Sequence, residues 1–249
     1  MALANQTAQT SVEADVRRQR KLHALPLASL LLGVLSFLGM MVSLWMIFVY
    51  APLDEVQGEP QRIFYFHVPM AWVGMLAFVI VTIGGIVYLV KSDECWDWLA
   101  RAAAEIGVVF LTLALVLGSI WGKTTWGTWW SWDPKLTAVL ILWFMYVGYI
   151  MLRSYMGRTH ASARNGAVLA IVGVIDVPII YEATNWWRTL HPPAQVGVSG
   201  ALPGSVVLTL MVSLVTFTLL FSFLMIQLYQ LQKLQTQAQR LRASVEYEG

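Results

Sequence analysis

Trp121–Asp133, WGKTTWGTWWSWD, holds five of the chain's twelve tryptophans in thirteen residues and closes them with a single carboxylate. Long apolar runs flank it on both sides, so the stretch reads as a connection between two membrane spans. If it is helical, Trp126, Trp129, Trp130 and Asp133 fall at i, i+3, i+4 and i+7, which is one face. Such a face is broad, flat, aromatic and polar at one end, and it suits a large planar ligand better than a small polar one. The alternative is an interfacial belt, because the indole ring prefers the headgroup region. A belt accounts for two or three tryptophans but gives no reason for five on one short loop with two interspersed glycines.

Outward from that stretch, composition sets the class. The chain has 249 residues, 58% hydrophobic and 12% charged, about half the charge of a soluble domain. Six apolar segments, 27–50, 64–90, 104–121, 137–153, 166–184 and 205–228, are long enough to cross about 30 Å of hydrocarbon. The expected fold is an all-α integral membrane protein, a single bundle of six transmembrane helices. Lys and Arg divide twelve against four between the two sides of these spans. That positive-inside bias predicts that both termini are cytoplasmic. Residues 1–26 then form a cytoplasmic tail, too long and polar for an ordinary signal peptide, and 229–249 form a second, Gln-rich cytoplasmic tail. The Trp-rich amphipathic segment (122–136), the stretch before His67 and the loop 185–204 carrying His191 share the outer face. Asp133-Pro134 fits an N-cap followed by proline at the first helical position of the fourth span, and capping is compatible with a ligand contact.

Four histidines are present. His23 and His160 stand among basic residues on the cytoplasmic side and read as solvated or headgroup-facing. His67, in IFYFHVPMAW, lies at the outer end of the second span, and His191, in NWWRTLHPPA, in the outer loop after the fifth. One interfacial histidine is usually just hydrogen-bonded, but two on one face flank the aromatic platform. Imidazole is a common axial ligand of haem iron. Trp126, Trp129 and Trp130, with Trp186 and Trp187, offer flat walls for a macrocycle, and Arg188 or Arg62 a cation for its propionates, unless each arginine anchors a headgroup. A bis-His haem site at the outer membrane surface is the reading these residues carry.

Other features carry less. Glu105 fits an i, i−4 pair with Arg101. Asp176 lies deep in the fifth span, ahead of Pro178, which is expected to kink the helix; an acid there is a functional hint, though packing within the bundle accounts for it equally. Gly118–Thr124 looks like a phosphate-binding loop but has Leu117 where the motif needs glycine, so the chain is not read as an ATPase. The single cysteine, Cys95, excludes an internal disulfide framework. No C-x-x-C-H occurs to attach haem covalently.

WGKTTWGTWWSWD resembles the WWD signature of the haem-handling proteins of cytochrome c maturation, the CcmC, CcmF and CcsA group. Six spans in about 250 residues, with FYFHVPMAW before the motif and WWRTLHPP after it, resemble the CcmC branch over essentially the whole chain. That resemblance implies a multi-pass protein of the bacterial inner membrane, not an enzyme. It would hold haem b transiently and non-covalently at the periplasmic surface and deliver it to the haem chaperone CcmE. It implies work with the ABC-type subunits CcmA and CcmB and the small membrane protein CcmD. By position it implies His67 and His191 as axial ligands of the haem iron, and Trp121, Trp126, Trp129, Trp130, Trp132 and Asp133 as the platform; Arg188 at the propionates is a reading of its charge and not part of that resemblance. Two other classes stay in view. A b-type cytochrome taking electrons from quinol usually pairs histidines within its spans, and a haem permease would need a polar path through the bilayer, for which Asp176 alone is thin.

Overall fold

Hydrocarbon leaves an exposed backbone no partner but itself, so each long apolar run closes its hydrogen bonds as a helix. The computed structural model describes residues 27–192 and 202–248, with the last residues of the final helix described as backbone. The tail 1–26 and residues 193–201 of the outer loop lie outside the described residues. The helices are α1 (Leu27–Tyr50), α2 (Phe64–Lys91), α3 (Glu94–Trp126), α4 (Pro134–Tyr155), α5 (His160–Gly173), α6 (Asp176–Trp186) and α7 (Gly204–Glu248). A short 3-10 turn, Glu59–Ile63, leads into α2, and α5 with α6 makes one span, His160–Trp186. The six spans expected from the sequence are therefore six helical units long and apolar enough to cross a membrane. No strand occurs among the described residues, only an isolated bridge from Asp54 to Gly58.

The element boundaries differ from expectation at one decisive place. α3 continues through Trp121 to Trp126 and stops at Gly127, which adopts φ 75° in the left-handed region that glycine enters without a Cβ penalty. Residues 127–133 are not helical. The single helical face proposed for Trp126, Trp129, Trp130 and Asp133 is thus not formed. Asp133 does cap α4, its carboxylate accepting from the Leu136 N–H with Pro134 in the first turn. The fifth span breaks as Pro178 requires. Lacking an N–H, Pro178 leaves the Val174 carbonyl, which instead accepts from the Val177 N–H at 3.1 Å.

α2 lies at the centre, packed on α3, α5 and α7; α4 joins α3, α5 and α6. Small residues let these backbones approach. Gly85 faces the Ala167 backbone, Gly74 faces Leu111, and Ala100, Ala102, Ala103, Ala104 and Ala114 are all buried along α3. α1 leans on α7 through Ser29, bonded to Gln227, and Ser43, hydrogen-bonded to Ser213 at 2.8 Å, while Leu30, Phe37 and Val49 point outward, the pattern of a helix in lipid. Tyr146 of α4 donates to the Gly74 carbonyl at 2.7 Å, and its hydroxyl fills the space beside Gly107 of α3. A methyl group at Gly107 would overlap that hydroxyl. Gly107→Ala is expected to cost about 1–3 kcal/mol, read as a lower melting temperature of the detergent-purified chain, whereas Gly148→Ala, beside open space on α4, should leave it unchanged.

The end of the bundle away from the Trp-rich segment is braced by charge pairs. Arg101 and Arg153 both hold Asp97, and Arg158 bonds Gln232 and Thr236 of α7. The Glu105–Arg101 pair expected from spacing is not made. Arg101 takes Asp97 one turn the other way, and Glu105 accepts from Gln232 at 2.7 Å. α7, on which those glutamines lie, stays helical through the Gln-rich tail.

Candidate functional site

The start of α2, the end of α3, the start of α4 and the stretch after α6 meet at one end of the bundle, and both His67 and His191 lie there. His67 sits one turn into α2, against a shelf made by one face of α3. Ala114, Gly118 and Trp121 recur at i, i+4 and i+7 and so line up under it. The His67 Nδ1 faces the Ala114 carbonyl at 2.9 Å. A carbonyl only accepts, so Nδ1 carries the proton and Nε2 is left with its lone pair. Gly118 makes room, since a Cβ there would come within 2.7 Å of the imidazole Cε1. Trp121 closes the shelf, its ring edge-on to His67 at 5.9 Å between centroids and beside Phe64 at 5.9 Å.

His191 is placed by α4 and the Trp-rich segment. Its Nδ1 lies 3.7 Å from the Asp133 Oδ2, longer than a hydrogen bond, and is buried without another partner. The same Asp133 oxygen accepts from the Leu190 N–H at 3.3 Å. Asp133 thus does two jobs with two oxygens: Oδ1 caps α4, and Oδ2 holds the backbone next to His191 and faces its imidazole. Trp126 stands edge-on to His191 with centroids 5.0 Å apart. Burial pushes the His191 imidazole below its ordinary value, and the Asp133 carboxylate opposes that only in part. At neutral pH His191 is therefore a neutral ring, the form that binds a metal.

The rest of the motif explains how a non-helical tryptophan segment is held in shape. After Gly127 the backbone has no helical partners, so side chains supply them. Lys123 donates to the Gly127 carbonyl, Ser119 to that of Trp129 at 2.6 Å, and Thr128 to that of Trp130 at 2.8 Å. The tryptophans then divide. Trp121 and Trp126 each wall one histidine. Trp130 is partly buried, with its indole N–H unpartnered, and meets Trp132 edge-on at 5.7 Å. Trp129 and Trp132 are 58% and 75% exposed, which leaves flat apolar faces open at this end.

Of the two arginines considered for the propionates, Arg62 is already committed, to Glu59, the Ile47 carbonyl and the Phe48 ring. Arg188 is exposed and makes no ion pair among the described residues. Sequence reasoning missed a third cation, Lys135. It is partly buried in the first turn of α4, without an ion-pair partner among the described residues, within electrostatic reach of both His67 and His191. Its place two residues after the Asp133 cap was the available signal.

The donor set suits haem. Two imidazoles are too few for a bare ion, and among the described residues no group of three His, Cys, Asp or Glu side chains could hold one. Iron that brings its own macrocycle needs only two axial nitrogens and flat apolar walls. Both histidines turn Nδ1 to the protein, and Trp121 and Trp126 stand edge-on to them.

Comparison with known proteins agrees with that chemistry. The family model described as Heme exporter protein C matches residues 17–244. The chain is 43% identical over 173 residues to Heme exporter protein C of Bradyrhizobium diazoefficiens, covering 69% of this chain and 66% of that protein. It is 41% identical over 144 residues to Heme exporter protein C of Escherichia coli K12, covering 58% and 59%. With a Marchantia polymorpha mitochondrial protein named ccmC-like and for cytochrome c biosynthesis it shares 38% over 176 residues, 70% of this chain and 73% of that one. The aligned chain thus spans 66% and 59% of the lengths of the two bacterial relatives.

Proposed function

This chain belongs to the Heme exporter protein C (CcmC) family, and from that membership we propose that it holds haem b between His67 and His191 and hands it on. The observation that supports the reading is the Nδ1 side of each histidine. His67 donates Nδ1–H to the Ala114 carbonyl, which leaves its Nε2 unprotonated, and His191 turns Nδ1 toward Asp133 at 3.7 Å, beyond hydrogen-bond length. Metal-bound histidines are held in this way, one ring nitrogen on the iron and the other on a protein acceptor. Trp121 and Trp126 hold the rings on edge, Trp129, Trp130 and Trp132 offer the macrocycle its apolar contact, and Lys135 with Arg188 faces the propionates.

The site lies on the periplasmic side of a bacterial inner membrane in this reading, which the twelve-to-four division of Lys and Arg supports. The exposed rings of Trp129 and Trp132 leave one haem edge open to a receiving protein, which in this reading is the chaperone CcmE. The ABC-type subunits CcmA and CcmB and the small protein CcmD complete the assembly. The role is binding and transfer, with no bond made or broken by this chain itself.

Titration of hemin into the detergent-purified chain tests the reading. One equivalent with low-spin six-coordinate bands is the expected result. Bands that respond to quinol would favour a b-type cytochrome instead, and haem uptake into vesicles holding this chain alone would favour a permease.

A further inference from the structure

The loop between α1 and α2 touches the histidine shelf at one point. The Trp121 indole N–H donates to the Gln57 Oε1 at 2.8 Å. Gln57 is not a free surface residue, because its backbone is locked. Asp54 Oδ1 accepts from the N–H groups of both Val56 and Gln57, at 2.9 and 2.7 Å, the turn that a short carboxylate makes with its own chain. The Gly58 N–H returns to the Asp54 carbonyl at 3.0 Å, and Gly58 itself sits at φ 61°, where a side chain would be strained. Three bonds within five residues therefore fix the backbone from which the Gln57 side chain extends, and the Trp121 bond orients its amide. What it points at is the ring that walls His67.

We propose that Gln57 is a positioning residue for the first axial ligand: it fixes the rotation of the Trp121 indole and, through it, the plane of the His67 imidazole. The inference rests on the haem reading above. The Nδ1 bond to Ala114 leaves the imidazole free to turn about that contact. Gly118 bounds it on one side and the Trp121 edge on the other. Without its acceptor the indole could rotate about χ2, and one of those two bounds would be lost. Partners of this kind, one step removed from the metal, typically carry about 10–100-fold in affinity.

Five full-length proteins in detergent test it: the parent, Gln57→Leu, Gln57→Glu, Trp121→Phe and the double variant Gln57→Leu/Trp121→Phe. Without haem, the slowly exchanging Trp121 indole N–H resonance is expected to be lost in Gln57→Leu and kept in Gln57→Glu, which retains an acceptor oxygen. With hemin added, Gln57→Leu should bind about tenfold more weakly and shift the largest g value of the ferric low-spin signal, which reports the angle between the axial imidazole planes. Gln57→Glu should restore both. Trp121→Phe, which keeps a ring but removes the N–H, should reproduce Gln57→Leu, and the double variant should add nothing. Parent-like affinity and g values in Gln57→Leu, or equal damage in Gln57→Glu, would overturn the proposal. A parent without low-spin haem would overturn the haem reading itself, whatever the indole resonance does.

Discussion

His67→Ala and His191→Ala are each expected to abolish the low-spin haem spectrum, leaving a five-coordinate species or none, with affinity down by more than the roughly 10–100-fold that loss of a supporting partner costs. Each histidine supplies one axial nitrogen, and neither has a neighbour to take its place, since the Cys, Asp, Glu and His side chains among the described residues form no larger cluster. The fold should survive both changes. Both side chains lie at one end of the bundle, outside the buried core that α2, α3 and α4 share, so circular dichroism and detergent monodispersity should match the parent. Added imidazole should restore six-coordination in either variant by filling the emptied position. Identical spectra in the parent and both variants would defeat the axial assignment and leave the tryptophans as a docking surface or a belt.

Asp133→Asn should produce two shifts of opposite sense. At neutral pH haem affinity falls about 10–100-fold, because the acceptor that faces His191 Nδ1 is weakened. The loss of the α4 cap adds only about 1 kcal/mol of destabilisation, and less for Asn, which still caps. The pH dependence moves the other way. His191 binds iron as the neutral ring, and burial already holds it below the ordinary imidazole value of about 6.5. Haem retention in the parent is therefore flat above that value and falls only as protons compete at lower pH. The Asp133 charge raises the His191 value, so removing it drives the value lower still. The His191 ring of the haem-free Asp133→Asn protein should therefore titrate at lower pH than in the parent, while its more weakly bound haem is released at higher pH. A pH titration of the His191 ring resonance without haem and a hemin titration at pH 7 read the two effects separately. An unmoved His191 titration would mean that Asp133 acts on His191 through position alone.

How much of this was legible beforehand varies with how local each feature is. The six spans were, because a long apolar run can only be a helix in hydrocarbon. The Asp133 cap was, because Asp followed by Pro carries its own geometry. The kink at Pro178 was, for the same reason. The Glu105–Arg101 pair was misjudged: an i, i−4 spacing permits a contact but does not say which of two carboxylates, Asp97 or Glu105, a third helix will claim. Gln232 of α7 took Glu105, and no local rule reaches across the 127 residues between them.

By itself the sequence determined the class of protein, the number of spans, and the gathering of His67, the tryptophan motif and His191 at one end, since an alternation of spans fixes which loops share a side. It also determined the family, through a motif dense enough to be specific. Only the tertiary structure decided what each motif residue does. Gly127 ends α3 in the middle of the motif, so the tryptophans do not form one face: two wall the histidines and two lie exposed. The second oxygen of Asp133, the Ala114 carbonyl under His67 and Gln57 behind Trp121 were assigned by which helix faces meet. Those contacts join residues distant in the chain, and a pattern read along one segment holds no information about its partner across the bundle.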